Sequence, residues 1–267
     1  MRVSFSEAFG RVHVTTQYRL RKIIGIWLLV TLPMLLPWTI TPAAVERNSY
    51  TLSILRICMI FGGLVWQFVL TLIIVRRERG SLSLRTLRSR LRLTLPINPR
   101  TGRPDRSMFL WLIPICTLHV AFIFFGAPIL DDLQQRLLPA LAEPPAYGME
   151  VLFTVKDRFV GQWWFFVLFM TLSVFNVFLG EELLFHGLLF PAMNEVFRRW
   201  DWLAIAMLFA LYHVHQPWGY TSIIVSNAFF LALPLKLFKS TWMSIASHAV
   251  QFPITLVVMT MLTLGTL

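Results

Sequence analysis

Seven apolar runs, the fifth of them short, are separated by polar or turn-forming segments and make up most of this chain. A run of about 18 or more residues with few charges can cross the ~30 Å hydrocarbon layer of a bilayer as a helix. The composition agrees, because 57% of the residues are hydrophobic and only 14% are charged, against about 45–50% and about 25% in soluble domains. We therefore predict an all-α, polytopic membrane protein with about seven transmembrane helices. The predicted spans are Ile23–Ile40, Leu52–Val75, Met108–Leu130, Phe159–Phe190, Trp202–His215, Tyr220–Phe238 and Thr241–Leu267.

The basic residues are concentrated near the start of the chain and predict its orientation. Ten of the 24 Lys and Arg residues lie in the segment Arg76–Ser107, and basic loops tend to stay on the cytoplasmic side of a membrane. The acid-rich segment Asp131–Arg158 is then external. We expect a cytoplasmic N-terminus and a location in a bacterial inner membrane. The net charge of +11 is better explained by topology and lipid headgroups than by nucleic acid, so we expect the lipid bilayer, and no nucleic acid, as a partner.

The chain is predicted to form one membrane domain. Residues 1–107 would supply the N-terminal spans and the Arg-rich cytoplasmic loop, and residues 108–267 the helical core, with informative motifs from about residue 159. Cys58 and Cys116 both lie in apolar runs, which argues against a disulfide framework. His119, in the third run, has no evident partner, and we assign it a structural role.

Six ionisable side chains of the later apolar runs are candidates, because their burial is costly and therefore suggests a function. One of them, His215, directly precedes Gln216-Pro217 and is interpreted as an interface residue. At ~1.5 Å per helical residue, Glu181, His213 and His248 lie about 14, 16 and 10 Å from the cytoplasmic ends of their runs. We expect these three side chains to meet at a similar depth. The other two, Glu182 and His186, are four residues apart on one helix and should face each other, whereas Glu181 points about 100° away.

A carboxylate beside two imidazoles in a poorly solvated site can activate water. Glu181 could act as the general base, and a histidine could share the water or donate to a developing oxyanion. The same three groups could bind zinc as a His₂Glu set with an open position. The residues alone leave a zinc-assisted and a metal-free mechanism equally open, so the cofactor is undetermined.

Three motifs resemble those of the CAAX-protease and bacteriocin-processing (CPBP) family of intramembrane proteases. Residues 180–188, GEELLFHGL, resemble its EExxxR motif; residues 209–213, FALYH, match FxxxH; and residues 248–252, HAVQF, resemble HxxxN or HxxxD. The chain departs from these motifs at two positions. His186 replaces the arginine, and Phe252 replaces the final Asn or Asp, although Gln251 could supply an amide from one residue earlier.

The resemblance implies a bundle of transmembrane helices with a cavity open toward the cytosol, and hydrolysis of a peptide bond in a peptide or membrane-protein substrate near that face. It implies that Glu181 and His213 activate water and that His248 stabilises the oxyanion, with Glu182, His186 and Gln251 in support. The two departures favour an alternative, a non-catalytic immunity or scaffold protein that kept the fold. A proton-coupled transporter could use the same cluster, but the sequence shows neither an internal repeat nor paired broken helices.

Overall fold

A computed structural model describes residues 16–39, 49–144 and 153–267 of the chain. These residues form an all-helical structure, and six of the helices are long and apolar enough to cross a membrane. Short 3₁₀ or π segments interrupt several of the helices. The principal helices are α1 (Leu20–Thr39), α2 (Tyr50–Arg79), α3 (Leu84–Arg90), α4 (Arg106–Leu137), α5 (Trp163–Ala192), α6 (Asp201–Tyr212), α7 (Pro217–Phe238) and α8 (Thr241–Leu264).

The predicted all-α membrane fold is confirmed, with six helices in the described residues that are long and apolar enough to span, against about seven predicted. The fifth apolar run forms α6, which has only 12 residues, or about 18 Å of helix. It nevertheless lies beside longer helices, because the indole of Trp27 in α1 donates to the carbonyl of Leu208 at 2.8 Å. At its other end, the carboxylate of Asp201 accepts from Lys236 in α7. Packing against neighbours therefore holds a helix too short to span the bilayer alone.

The exposed surface of the helices is apolar, as expected of side chains that face lipid. Leu110, Ile113, Phe125 and Ile129 of α4 are all more than 60% exposed. Large apolar side chains left outside a soluble protein would be an aggregation risk, but lipid tails solvate them. The molecule is therefore an integral membrane protein.

The core of the bundle brings α1, α2, α5 and α6 together through one cluster of buried side chains. Gly180 lies where α5 approaches α2 most closely, since a Cβ at this position would be 2.8 Å from the carbonyl oxygens of Leu64 and Phe175. Only glycine fits at this distance without a shift of the backbone. The residue immediately before Glu181 thus fixes how deeply α5 sits against α2.

Replacing Gly180 with alanine is expected to destabilise the protein by about 1–3 kcal/mol, the usual cost of overpacking a core. Gly62 in α2 is a matched control, because a Cβ there would meet no heavy atom within 4 Å. Thermal unfolding in detergent should show a lower Tm for Gly180→Ala and an unchanged or higher Tm for Gly62→Ala. Equal melting temperatures for the two variants would contradict the close contact.

The Arg-rich loop is not wholly exposed, because Arg90 within it is buried against other segments of the chain. Arg90 is 2% exposed; its Nε donates to Glu78 at 2.8 Å and its Nη2 to the hydroxyl of Tyr18 at 2.8 Å. Burial raises the pKa of the Tyr18 phenol, which stays protonated and donates to Glu78 at 2.5 Å. Arg90 also reaches the carbonyl of Leu188 in α5 at 3.4 Å. Through Arg90, the loop contacts the helix that carries Glu181.

Candidate active site

Three side chains from three helical segments meet inside the bundle. His213 Nε2 lies 3.5 Å from Glu181 Oε1, and His248 Nε2 lies 3.9 Å from Glu181 Oε2. Glu181 comes from α5, His213 directly follows α6, and His248 comes from the first half of α8, which is interrupted after this residue. All three are buried, with at most 7% of each residue exposed. Glu181, His213 and His248, which the residue counts along the apolar runs placed at a similar depth, are therefore neighbours.

The carboxylate of Glu181 is held by two donors that the sequence did not single out. The hydroxyl of Tyr212 donates to Oε1. Turned with its nitrogen toward the carboxylate, the amide of Asn176 donates to Oε2 at 2.6 Å and to Oε1 at 3.1 Å. Both contacts fix the direction of the carboxylate while leaving lone pairs for a further donor.

A π-helical segment places Asn176 beside Glu181. Five residues separate the two, so on a regular α-helix they would point about 140° apart. Residues Phe175–Gly180 instead form a π-helix, whose hydrogen bonds run from residue i to i+5 and bring residues at this spacing onto one face. Such segments are frequent at functional sites. The apolar sequence around Asn176 does not predict that this segment forms a π-helix.

The hydrogen bonds of His213 determine which of its ring nitrogens can act on a ligand. Nδ1 lies 2.7 Å from the carbonyl oxygen of Phe209, which can only accept. Nδ1 therefore carries the proton, and in the neutral ring Nε2 presents a lone pair. That lone pair faces Glu181, so a donor between them, such as a water molecule, could be bound by both acceptors.

Glu182 forms a second layer with two histidines. Its Oε1 lies 3.1 Å from His186 Nδ1, the contact expected from the i, i+4 spacing, and 2.9 Å from His248 Nδ1. The sequence paired Glu182 with His186 alone, so the contact with His248 is new. Because a carboxylate accepts the Nδ1 proton, the Nε2 atom of His248 is left to face Glu181.

A cavity of about 220 Å³ opens beside these groups, between α4, α5, α7 and α8. It is large enough for a peptide group or several water molecules. Apolar side chains of α4 and α7 form part of its wall. The polar lining residues are Asn176, Glu181, His213, Gln216, Ser222, Ser226, Asn227, His248 and Gln251.

The structure separates the two residues at the end of the last motif. Gln251 lines the cavity, so its amide is in the region where the sequence placed it. Phe252 packs on Phe178, with ring centroids 6.3 Å apart, and is not among the residues that line the cavity. A phenyl ring there supplies apolar contact but no hydrogen bond.

His119, which had no evident partner in the sequence, connects three helices. Its Nδ1 donates to the carbonyl of Ser247 at 2.9 Å, and its Nε2 lies 2.8 Å from the hydroxyl of Ser226. Since Nδ1 is the donor, Nε2 accepts from that hydroxyl. The ring also stacks on Phe230, with centroids 4.7 Å apart. His119 thereby fixes the residue directly before His248, a contact between distant segments that a single sequence does not reveal.

The arrangement of the donors bears on the zinc alternative. Within the described residues, no three His, Cys, Asp or Glu side chains are placed so that they could hold a metal ion. The two imidazoles point their Nε2 atoms at the carboxylate itself, at 3.5 and 3.9 Å. Proton transfer and hydrogen bonding are available to Glu181, His213 and His248 at these distances.

Comparison with known proteins gives one family match. Residues 162–251 match the model of the family described as type II CAAX prenyl endopeptidase Rce1-like. This segment contains Glu181, His213 and His248 and ends one residue before Phe252. Comparisons with curated proteins and with solved structures gave no match.

Proposed function

We propose that this chain, whose residues 162–251 belong to the Rce1-like family of type II CAAX prenyl endopeptidases, hydrolyses a peptide bond with water activated by Glu181 and His213. Membership of this family supports a membrane-embedded protease that acts on a protein or peptide. The observation that carries the finer proposal is the buried Glu181 carboxylate, which faces the lone pair of His213 Nε2 at 3.5 Å on the wall of a cavity.

In the first step, Glu181 and His213 each accept a hydrogen bond from one water molecule. Glu181 takes a proton as the water oxygen attacks the carbonyl carbon of the substrate, giving a tetrahedral intermediate with a negative oxygen. Tyr212 and Asn176 keep the carboxylate pointed at the water. When the C–N bond breaks, Glu181 returns the proton to the departing amine, so atoms and charge balance.

In the proposed mechanism, His248 stabilises the negative oxygen of the intermediate. Its Nδ1–H is bound to Glu182 at 2.9 Å, which holds the ring in one orientation, and the ring acts as the imidazolium in this step. The protonated Nε2 then donates into the cavity. Donors already fixed at the position where charge develops are among the largest contributions to catalysis.

We further propose that cleavage takes place near the cytoplasmic face, in a peptide or a membrane protein. Gly187 of α5 packs on the backbone of Leu91 in the Arg-rich loop, where a Cβ would lie 3.3 Å from the Leu91 oxygen. Glu181 is six residues earlier, which is about 9 Å at ~1.5 Å per residue. The proposed base thus lies within a short distance of the loop that we assign to the cytoplasmic side.

The proposed hydrolysis can be tested with the purified protein in lipid nanodiscs and a peptide library that includes prenylated and unmodified peptides. The reaction is run in H₂¹⁸O and the products are identified by mass spectrometry. We expect new peptide C-termini that carry ¹⁸O, and none with empty nanodiscs. If the folded protein cleaves no peptide, the proposal fails and the non-catalytic immunity or scaffold alternative is favoured.

A further inference from the structure

We propose that the side-chain amide of Asn227 is a second donor to the oxyanion and that His186 positions it. This inference rests on the proposed peptidase function. Asn227 begins a π-helical segment of α7 and is 1% exposed. It lines the same cavity as Glu181, His213 and His248, although it belongs to none of the three sequence motifs.

The nitrogen of this amide makes no hydrogen bond among the described residues, although it is buried. Leaving a buried N–H group unpaired is costly, and such a group in a folded protein calls for an explanation. A donor reserved for a substrate oxygen accounts for the unpaired atom, since it would be satisfied when the cavity is filled.

The other end of the amide is fixed by His186. Nε2 of His186 lies 3.4 Å from Asn227 Oδ1, and a carbonyl oxygen can only accept, so Nε2 carries the proton. The opposite nitrogen, Nδ1, lies 3.1 Å from Glu182 Oε1 but forms no hydrogen bond in this geometry, so it attracts the carboxylate only when the ring is an imidazolium. The imidazole lies between Glu182 and Asn227. Because Oδ1 is held by His186, the NH₂ group is the free end of an amide that borders the cavity.

The proposed role of Asn227 involves both positions at which the chain departs from the motifs it resembles, His186 and Phe252. Phe252 cannot donate a hydrogen bond and packs on Phe178, so α8 supplies no amide at that position. Asn227 provides one from α7 instead. His186 stands where the motif has arginine, and it is the residue that contacts both Glu182 and Asn227.

The test compares wild type with Asn227→Leu, which is similar in size but lacks the amide. We expect kcat to fall about 10²-fold, as when one oxyanion donor is lost, with KM within about 3-fold and no fall in Tm. Val225→Ala, on the same helix and away from the cavity lining, is the matched control and should keep the wild-type kcat. His186→Leu should lose activity like Asn227→Leu, and His186→Gln, which keeps a donor for Oδ1, should recover much of it.

The possible failures can be told apart. An active wild type with Asn227→Leu equally active would overturn the role of Asn227 and leave the proposed function standing. A lower Tm together with parallel changes in kcat and KM would also overturn it, because that pattern indicates a structural role. A folded wild type that hydrolyses nothing would overturn the function and this inference together.

Discussion

Replacing Glu181 with glutamine is expected to lower kcat by about 10²–10⁴-fold, the range that a positioned acid–base group contributes. Glutamine has the same size and keeps a carbonyl oxygen that can accept from Tyr212, so the variant should fold. It cannot take a proton from water. KM should change little, because the lost interaction is needed for the chemical step and not for substrate binding. Initial rates on a peptide found to be cleaved, together with Tm in the same nanodiscs, measure both effects.

The matched control for this variant is Glu195→Gln. Glu195 is exposed on the short helix Asn194–Phe197 that follows α5, so the same chemical change is made outside the bundle. We expect wild-type rates from it. If Glu181→Gln and Glu195→Gln cleave equally fast, Glu181 is not the base. If Glu181→Gln melts well below wild type, its lower rate cannot be assigned to chemistry.

Residue spacing along single helices predicted part of the site. The contact between Glu182 and His186 follows from four residues on one helix face, and the structure has it at 3.1 Å. Counting residues from the ends of three apolar runs also placed Glu181, His213 and His248 at similar depths. Depth is predictable because the bilayer imposes one thickness on every span, whereas the roles of these three residues remain predictions.

The partners of Glu181 were not predictable in the same way. Asn176 reaches it only because residues Phe175–Gly180 form a π-helix, and an apolar stretch gives the same hydropathy whichever helix it forms. Asn227 and His119 act between helices, and their contacts depend on how each helix is rotated about its axis. That rotation is set by packing, such as the close approach at Gly180, which involves residues far apart in the sequence.

In the fold, too, local features were predictable and contacts between distant segments were not. The lengths of the apolar runs predicted the long spans, but they also predicted a span at the position of α6, which has only 12 residues. The polar contacts that hold α6 at Asp201 join it to another helix. Similarly, a run of arginines indicates a cytoplasmic loop. It does not reveal that Arg90 is buried against Glu78 and Tyr18, because the partners lie in other segments.

Replacing His248 with alanine is expected to lower kcat by about 10³-fold, the upper range for the loss of one oxyanion donor. The effect should exceed that of Asn227→Leu because hydrogen bonds from a charged donor are about twice as strong as neutral ones. KM should stay close to wild type. His248→Gln offers a neutral amide in the same direction and should recover part of the loss. Steady-state kinetics of the three proteins measure this order, and a His248→Ala variant with wild-type kcat would contradict the assigned role.

Combining the two changes tests whether Glu181 and His248 act on one reaction. Groups that serve the same transition state are strongly non-additive, because removing one leaves the other with little to stabilise. The double variant Glu181→Gln/His248→Ala should therefore be only slightly slower than Glu181→Gln alone. If the two losses multiplied in full, the residues would be acting independently, which would not fit a carboxylate and an imidazole 3.9 Å apart on one cavity. If His248 served only the fold, Tm would fall in both backgrounds while kcat of the Glu181→Gln protein fell further by the same factor.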